Sequence, residues 1–241
     1  MPLFQQTTGF LIPADTRNQA SNDDYILMVD GNGELYKIKK IDFLLNPYIN
    51  LPLTETTGTA AAVDISGNGR NATYLNVVND LSGSILDGTS RISLNSSINA
   101  LSTLTIGLEF KSASNLNQGL WEFRASQDLT SGTYTPSLMM NPSGKLAVYG
   151  YPSGSSYASF EDTAAYNDND WHKSIVIMSS SNIKIFVDKA KILDISANPI
   201  TAFSGFFSIG STRANGNWIG QLKNYRVWEM VLSEAQAISL T

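Results

Sequence analysis

Hydrophobic and polar positions alternate with a period of two through most of this chain. The clearest case is residues 170–193, DWHKSIVIMSSSNIKIFVDKAKIL. Apolar residues fall at Ile175 and Ile177 and then, beyond a Ser/Asn turn at 179–182, at Ile183, Ile185 and Val187. Such alternation between turn formers predicts an antiparallel hairpin with one buried face, its strands at 174–178 and 183–187. Similar short strands are predicted at 73–77, 90–94, 104–111, 119–125, 137–140, 145–149, 157–160, 205–209 and 221–228. Turn signals separate them, and no solenoid or propeller period is apparent. The one expected helix is terminal. In SEAQAISL, Ser233 followed three residues later by Gln236 makes a capping box, with Leu232 and Ile238 turned toward the body. The pattern as a whole is all-β, a sandwich or jelly roll with a short C-terminal helix.

Residues 1–50 read differently. Strands are expected at 25–30 and 34–38 around Gly31-Asn32-Gly33, a cluster that supplies the positive φ of a tight turn, with a short helical turn at 41–45. So small a segment buries little apolar surface. Tyr25, Leu27, Val29, Leu35, Tyr36 and Ile38 are therefore expected to pack against another copy or a larger particle. Residues 46–58, with Pro47 and Pro52, read as a linker. The chain then divides into an attachment or oligomerisation segment, 1–50, and a sandwich, 51–241.

Composition narrows the functions. The 241 residues are 42% hydrophobic, enough for a sizeable core, while 16 Lys and Arg against 21 Asp and Glu leave a net charge of −5. The densest basic run is Lys37-Ile38-Lys39-Lys40, so nucleic acid is not an expected partner. The absence of cysteine excludes disulfides, thiolate metal sites and thiol nucleophiles, and His172 as sole histidine excludes a multi-histidine metal centre. Residues 1–10 lack the basic start and apolar run of a secretion signal, and no run is long enough for membrane insertion.

Sugar binding needs aromatic faces to stack on pyranose rings, and amide or charged groups to hold hydroxyls. Three loops offer them: Tyr134; Tyr151 and Tyr157; and Arg213, Asn215, Asn217 and Trp218. For Tyr149 and Trp218 a second reading stands beside this one, that they fill the edge of the sandwich. Trp121 and Trp228, alternating with polar neighbours inside strands, are read as core or sheet-face residues. His172 beside Trp171 is read as structural, with no serine or carboxylate partner implied.

Five blocks within 59–241 resemble the concanavalin A-like jelly roll in its laminin-G-like form. They are Asp64-Ile65-Ser66-Gly67-Asn68-Gly69 with Asn71-Ala72-Thr73; Leu86-Asp87-Gly88-Thr89-Ser90; the strand 104–110; Asp170-Trp171-His172 with 183–188; and Phe207-Ser208-Ile209-Gly210 with 220–228 and Leu232-Ser233-Glu234-Ala235. The chain departs from the pattern at Lys189, where the family usually has glycine, and at Lys223, where it usually has aspartate. The resemblance implies a module for glycan or protein recognition, or a spacer. The glucanase branch takes its carboxylates from an E-x-D-x-x-E run, which is absent here, so hydrolysis is not expected. Calcium is the metal such folds most often hold. Asp168 and Asp170 are the candidate ligands, with Asp64 and Asp87 before glycine turns, although all four equally suit turn chemistry.

The N-terminal pattern, Asp24, 26–29, Asp30, Asn32-Gly33 and Lys37-Ile38, resembles attachment segments of bacteriophage tail-fibre and virion proteins. That resemblance implies a virion structural protein (tail, fibre or head appendage) assembled in the host cytoplasm. Residues 1–50 would bind other virion proteins, the oligomer would be a trimer, and the lectin-like sandwich would face a host-surface glycan or protein. The alternatives are a purely structural decoration of the particle, or a bacterial glycan-binding protein.

Overall fold

The computed structural model describes residues 25–29, 35–39, 46–99, 102–127, 134–150, 158–196, 204–213 and 216–241. Tyr151, Tyr157 and Asn215, the turn at 31–33 and the short helix expected at 41–45 lie outside them. The chain forms two compact units, Met1–Asn46 and Pro47–Thr241. In the first, β1 (Tyr25–Val29) pairs antiparallel with β2 (Leu35–Lys39), Tyr25 opposite Lys39 and Val29 opposite Leu35.

The second unit is a sandwich of two antiparallel sheets, its strands numbered along the chain. From edge to edge the larger sheet runs β12 (Ala158–Glu161), β11 (Leu146–Gly150), β10 (Tyr134–Met140) and β9 (Gln118–Arg124). It continues through β16 (Phe206–Ile209), β7 (Arg91–Leu94), β5 (Ala72–Leu75) and β4 (Ala61–Ala62). The other sheet runs β15 (Ala190–Ile195), β14 (Ile183–Val187), β13 (His172–Met178), β8 (Leu104–Lys111), β19 (Ile219–Trp228) and β3 (Ile49–Leu51). To these β6 (Ser84–Asp87) adds on β19, and a small hairpin joins β17 (Ser211–Thr212) to β18 (Gly216–Asn217). The helix α1 (Glu234–Leu240) closes the chain with the expected capping box, Ser233 and Gln236 each satisfying the other's backbone amide.

Alternation builds the core. Ile106, Leu108, Phe110, Val176 and Ile185 of one sheet meet Ile92, Trp121, Phe123, Leu138, Val148 and Phe207 of the other, all essentially inaccessible to water. Edge-to-face ring contacts lock the layer, with Phe110 against Trp218 at 5.8 Å and Phe207 against Tyr225 at 5.8 Å. Trp121 and Trp228 are buried, as the strand pattern required.

Three expectations are corrected. Residues 46–58 are not a linker throughout: Ile49–Leu51 is a strand opposite Val227–Tyr225, which puts the boundary between units at 46/47 instead of 50/51. The opening-turn block holds this strand in place. The Asp64 carboxylate accepts from the Asn50 amide (2.9 Å), the Ser66 amide (3.0 Å) and hydroxyl (2.8 Å), and the Arg70 amide (2.8 Å). Second, Ala237 faces inward from α1 while Ile238 is exposed, because a short helix presents only one narrow stripe to its support. Third, β15 escaped detection because it is a largely exposed edge strand with little apolar alternation. Its hairpin turn, Asp188-Lys189, has φ of +47° and +70°, so Lys189 takes the left-handed geometry that glycine usually supplies there.

Candidate functional site

The registers of the larger sheet place Thr73, Ser93, Ser208, Glu122, Ser137 and Tyr149 in one row running across the strands. Their neighbours along each strand (Ile92 and Leu94, Phe207 and Ile209, Trp121 and Phe123, Leu138, Val148) form the core, so the row faces outward. This face carries hydroxyls, one carboxylate and an arginine where the opposite face carries aromatics.

Glu122 and Arg124, two residues apart and therefore on the same side of β9, form a salt bridge with exposures of only 1% and 2%. The hairpin β17–β18 helps to cover them. A bulge at Leu120 turns Gly119 to the outward face, where a Cβ would stand 2.3 Å from Thr212 Cγ2 and 2.5 Å from its backbone nitrogen. Only glycine lets β17 lie this close. The next residue, Arg213, then donates its backbone N–H to the Glu122 carboxylate at 3.2 Å. Burial pushes the Glu122 carboxyl up and the Arg124 guanidinium down, each partly offset by the other's charge. Arg91 and Arg213 are near enough to oppose Arg124 electrostatically.

Of the sequence-derived ligand residues, Arg213 and Asn217 stand in the hairpin over β9. Tyr134 opens β10 opposite Arg124. Arg213 is exposed above Glu122, and Asn217 is half-buried opposite Ser211. Trp218 does not join them. It is 0% exposed and packed on Phe110, so it offers no face to a sugar; its edge-filling reading was the right one. The Glu122–Arg124 pair was visible in sequence only as two charges on one side of a strand. An acid and a base at i and i+2, alternating with Trp121 and Phe123, was the signal available.

Asp168 and Asp170 sit by His172, and the expectation that His172 lacks carboxylate partners is corrected. His172 Nδ1 lies 2.7 Å from Asp188 Oδ2, and Nε2 lies 3.0 Å from Asp168 Oδ1. Asp168 Oδ1 also accepts the Asp170 amide at 2.9 Å, while Asp170 itself is exposed. Calcium asks for six to eight oxygens around one point. Asp168 is turned to an imidazole and an amide instead, and no metal-holding group of three such side chains exists among the described residues. Trp171 beside them is held by Lys223, whose Nζ stands 3.9 Å over the ring, which gives the lysine at the departed family position a packing role. A cleft of about 380 Å³ opens nearby, lined by Lys111, Ser112, Ala113, Ser114, Asn169, Ile219, Gly220 and Gln221, none of them aromatic.

This corner predicts a pH dependence. Burial opposes a charged His172, but hydrogen bonds to Asp188 and Asp168 outweigh it and raise its pKa above 6.5. The Asp170 amide, then His172, lower the Asp168 pKa below 3.8. A raised histidine pKa gives stability that is complete below 6.5 and is lost as pH rises through the folded-state value. The lowered Asp168 pKa gives stability present above 3.8 and lost on acidification. Urea unfolding should therefore show stability declining as pH rises above 6.5, a slope that His172→Gln removes. An unchanged slope in the variant would exclude His172 as its source.

The sequence profile of the concanavalin A-like lectin/glucanases superfamily, in its Laminin_G_3 form, matches residues 86–237. No curated protein matches the sequence. Among solved structures, domain 4 of AbnA, an extracellular GH43 arabinanase from Geobacillus stearothermophilus in complex with arabinotriose, superposes with a TM-score of 0.57 at 14% identity, over 73% of this chain and 91% of that one. A sialidase from Trypanosoma rangeli gives 0.60 at 12% identity, over 79% of this chain and 32% of that one. The binding domain of botulinum neurotoxin DC, in complex with rat synaptotagmin II, gives 0.58 at 15% identity, over 81% of this chain and 51% of that one. At such identities the likeness is one of fold. With the profile spanning more than half of its length, the chain belongs to the concanavalin A-like lectin/glucanases superfamily, in its laminin-G-like form.

Proposed function

We propose that this protein is a bacteriophage virion component (tail, fibre or head appendage) whose sandwich recognises a host-surface glycan without catalysing its breakdown. One observation supports the recognition: the outward row of hydroxyls that runs from Thr73 to Tyr149 through Glu122, with Arg213 beside it. The arabinanase domain of like fold is in complex with arabinotriose, in keeping with an oligosaccharide ligand for such a sandwich. Glycoside hydrolysis requires two carboxylates roughly 5–9.5 Å apart. On this face Glu122 is bound to Arg124, and Glu161 is three strands away, about 14 Å at the usual strand spacing.

The attachment half rests on the β1–β2 hairpin, which forms within a compact unit of its own, and on its likeness to virion attachment segments. Residues 1–46 would dock onto other virion proteins and draw three chains together. A purely structural decoration is the second reading, favoured by how little of Glu122, Arg124, Ser137 and Ser208 reaches solvent. Glycan-array binding by the full chain that Arg213→Ala and Tyr151→Ala abolish supports recognition; no binding to any glycan or host cell supports decoration. Light scattering should give a trimer for the full chain and a monomer for a chain starting at Pro47, whereas monomers in both cases would exclude self-association through the N-terminal unit.

A further inference from the structure

We infer that the outward side of the smaller sheet is a docking surface for an extended, acidic polypeptide segment of a partner protein, laid along β8 and β19. This surface is distinct from the larger sheet, to which the glycan-binding reading belongs, and does not depend on it. Ile106, Leu108 and Phe110 belong to the core, so Gly107, Glu109 and Lys111 of β8 face outward. The registers set three outward rows: Lys111 beside Gln221, Glu109 between Lys173 and Lys223, and Gly107 beside Arg226. Four cations thus surround one carboxylate, in a chain whose net charge is −5. Of the neighbouring carboxylates, Asp87 accepts from Thr89 and Ser90, Asp168 and Asp188 hold His172, and Asp170 falls past the end of β8 in register.

One carboxylate does not satisfy these cations. Lys173 and Lys223 approach Glu109 only to 3.8 and 3.7 Å, and Glu109 also accepts from the Asn224 amide at 2.9 Å. Lys111 and Arg226 have no ion pair or side-chain hydrogen bond among the described residues, and Arg226 Nε is buried without a partner there. The strip is also open. The Lys173 side chain is 50% exposed, Lys111 lines the cleft of about 380 Å³, and Glu109, Lys173 and Arg226 line a narrower groove further along β8. Rows two residues apart on a strand stand about 6.8 Å from each other, and alternate side chains of an extended polypeptide repeat at the same distance. Acids at i, i+2 and i+4 of such a segment therefore meet Lys111, then Lys173 with Lys223, then Arg226. Ile85 continues the row of Lys111 and Gln221. Its bridge partner Val78, and Leu81 in the turn between them, are exposed too, an apolar border of the kind that marks protein-binding surfaces. A sugar would instead need an open aromatic face, whereas Trp171 carries Lys223 over its ring and Trp228 is buried.

The full chain is titrated calorimetrically with a peptide of alternating threonine and glutamate, with the same peptide carrying glutamine for glutamate, and with an oligogalacturonide as an acidic sugar. The glutamate peptide is expected to bind, and the glutamine peptide to bind at least about tenfold more weakly. Lys111→Gln and Arg226→Gln are each expected to lose about tenfold, and the affinity to fall as salt rises. Neither substitution removes an ion pair among the described residues, so melting temperatures should stay near that of the wild type. Lys173→Gln, at an exposed position, remains decisive if either variant fails to fold. Absence of peptide binding, or binding indifferent to all three substitutions, overturns the docking surface. Oligogalacturonide bound more tightly than the peptide, and lost in Lys111→Gln, overturns the polypeptide class. Neither result bears on the larger sheet, whose test is glycan binding lost in Arg213→Ala.

Discussion

Glu122→Ala is expected to lower the stability of the sandwich by about 3–5 kcal/mol, the usual cost of leaving one member of a buried ion pair without its partner. For a domain of this size each kcal/mol moves the melting temperature by about 2–4 °C, so a drop of roughly 6–20 °C should be visible by differential scanning calorimetry. Glu122 and Arg124 are 1% and 2% exposed, and solvent cannot screen what remains when either is removed. The loss extends beyond the pair, because the same carboxylate accepts the Arg213 amide and so holds the start of the loop between β17 and β18. Replacing both charges, as Glu122→Leu with Arg124→Met, should recover much of the stability, since apolar pairs of similar volume often match buried ion pairs. A double-mutant cycle gives the coupling directly. Glu122→Ala within about 1 kcal/mol of the wild type would show that water reaches the pair.

Trp218→Ala is expected to cost about 3–5 kcal/mol through the cavity it leaves against Phe110. This separates two roles that look alike in a sequence. A stacking platform would lose ligand on truncation and keep its melting temperature; a core tryptophan loses stability first. Trp218→Phe keeps much of the packed volume and sacrifices no hydrogen bond, since the indole N–H has no partner among the described residues. It should therefore fold with a smaller penalty and bind glycan as the wild type does. An unchanged melting temperature in Trp218→Ala would contradict the buried position.

The boundary between what could be foreseen and what could not follows the range of the interactions concerned. Period-two alternation at 104–111, 174–178 and 183–187 located strands in place to within two residues, because burying one face of a sheet imposes that spacing locally. The capping box at Ser233 and Gln236 is local as well and was legible. So was the role of Asp64, whose acceptors serve its own turn, although the reach of that turn to Asn50, fourteen residues earlier, was not. His172 next to Trp171 looked merely structural because its partner Asp188 lies sixteen residues away, across a hairpin turn whose register sets the contact.

The candidate site shows the same division. By itself the sequence determined that the chain builds an all-β sandwich of laminin-G-like form, rich in hydroxyls and lacking cysteine, and it marked the loops with Tyr134, Tyr151, Tyr157 and Arg213 as chemically suited to sugar. The tertiary structure alone decided that Trp218 belongs to the core, that Ile49–Leu51 completes a sheet, and that Ser93, Ser137 and Ser208 align with Glu122 beneath Arg213. Alternation states which residues share a side of one strand. Only the pairing of β7, β16, β9 and β10, in which β16 comes from far along the chain to lie between β7 and β9, states which of them share a row.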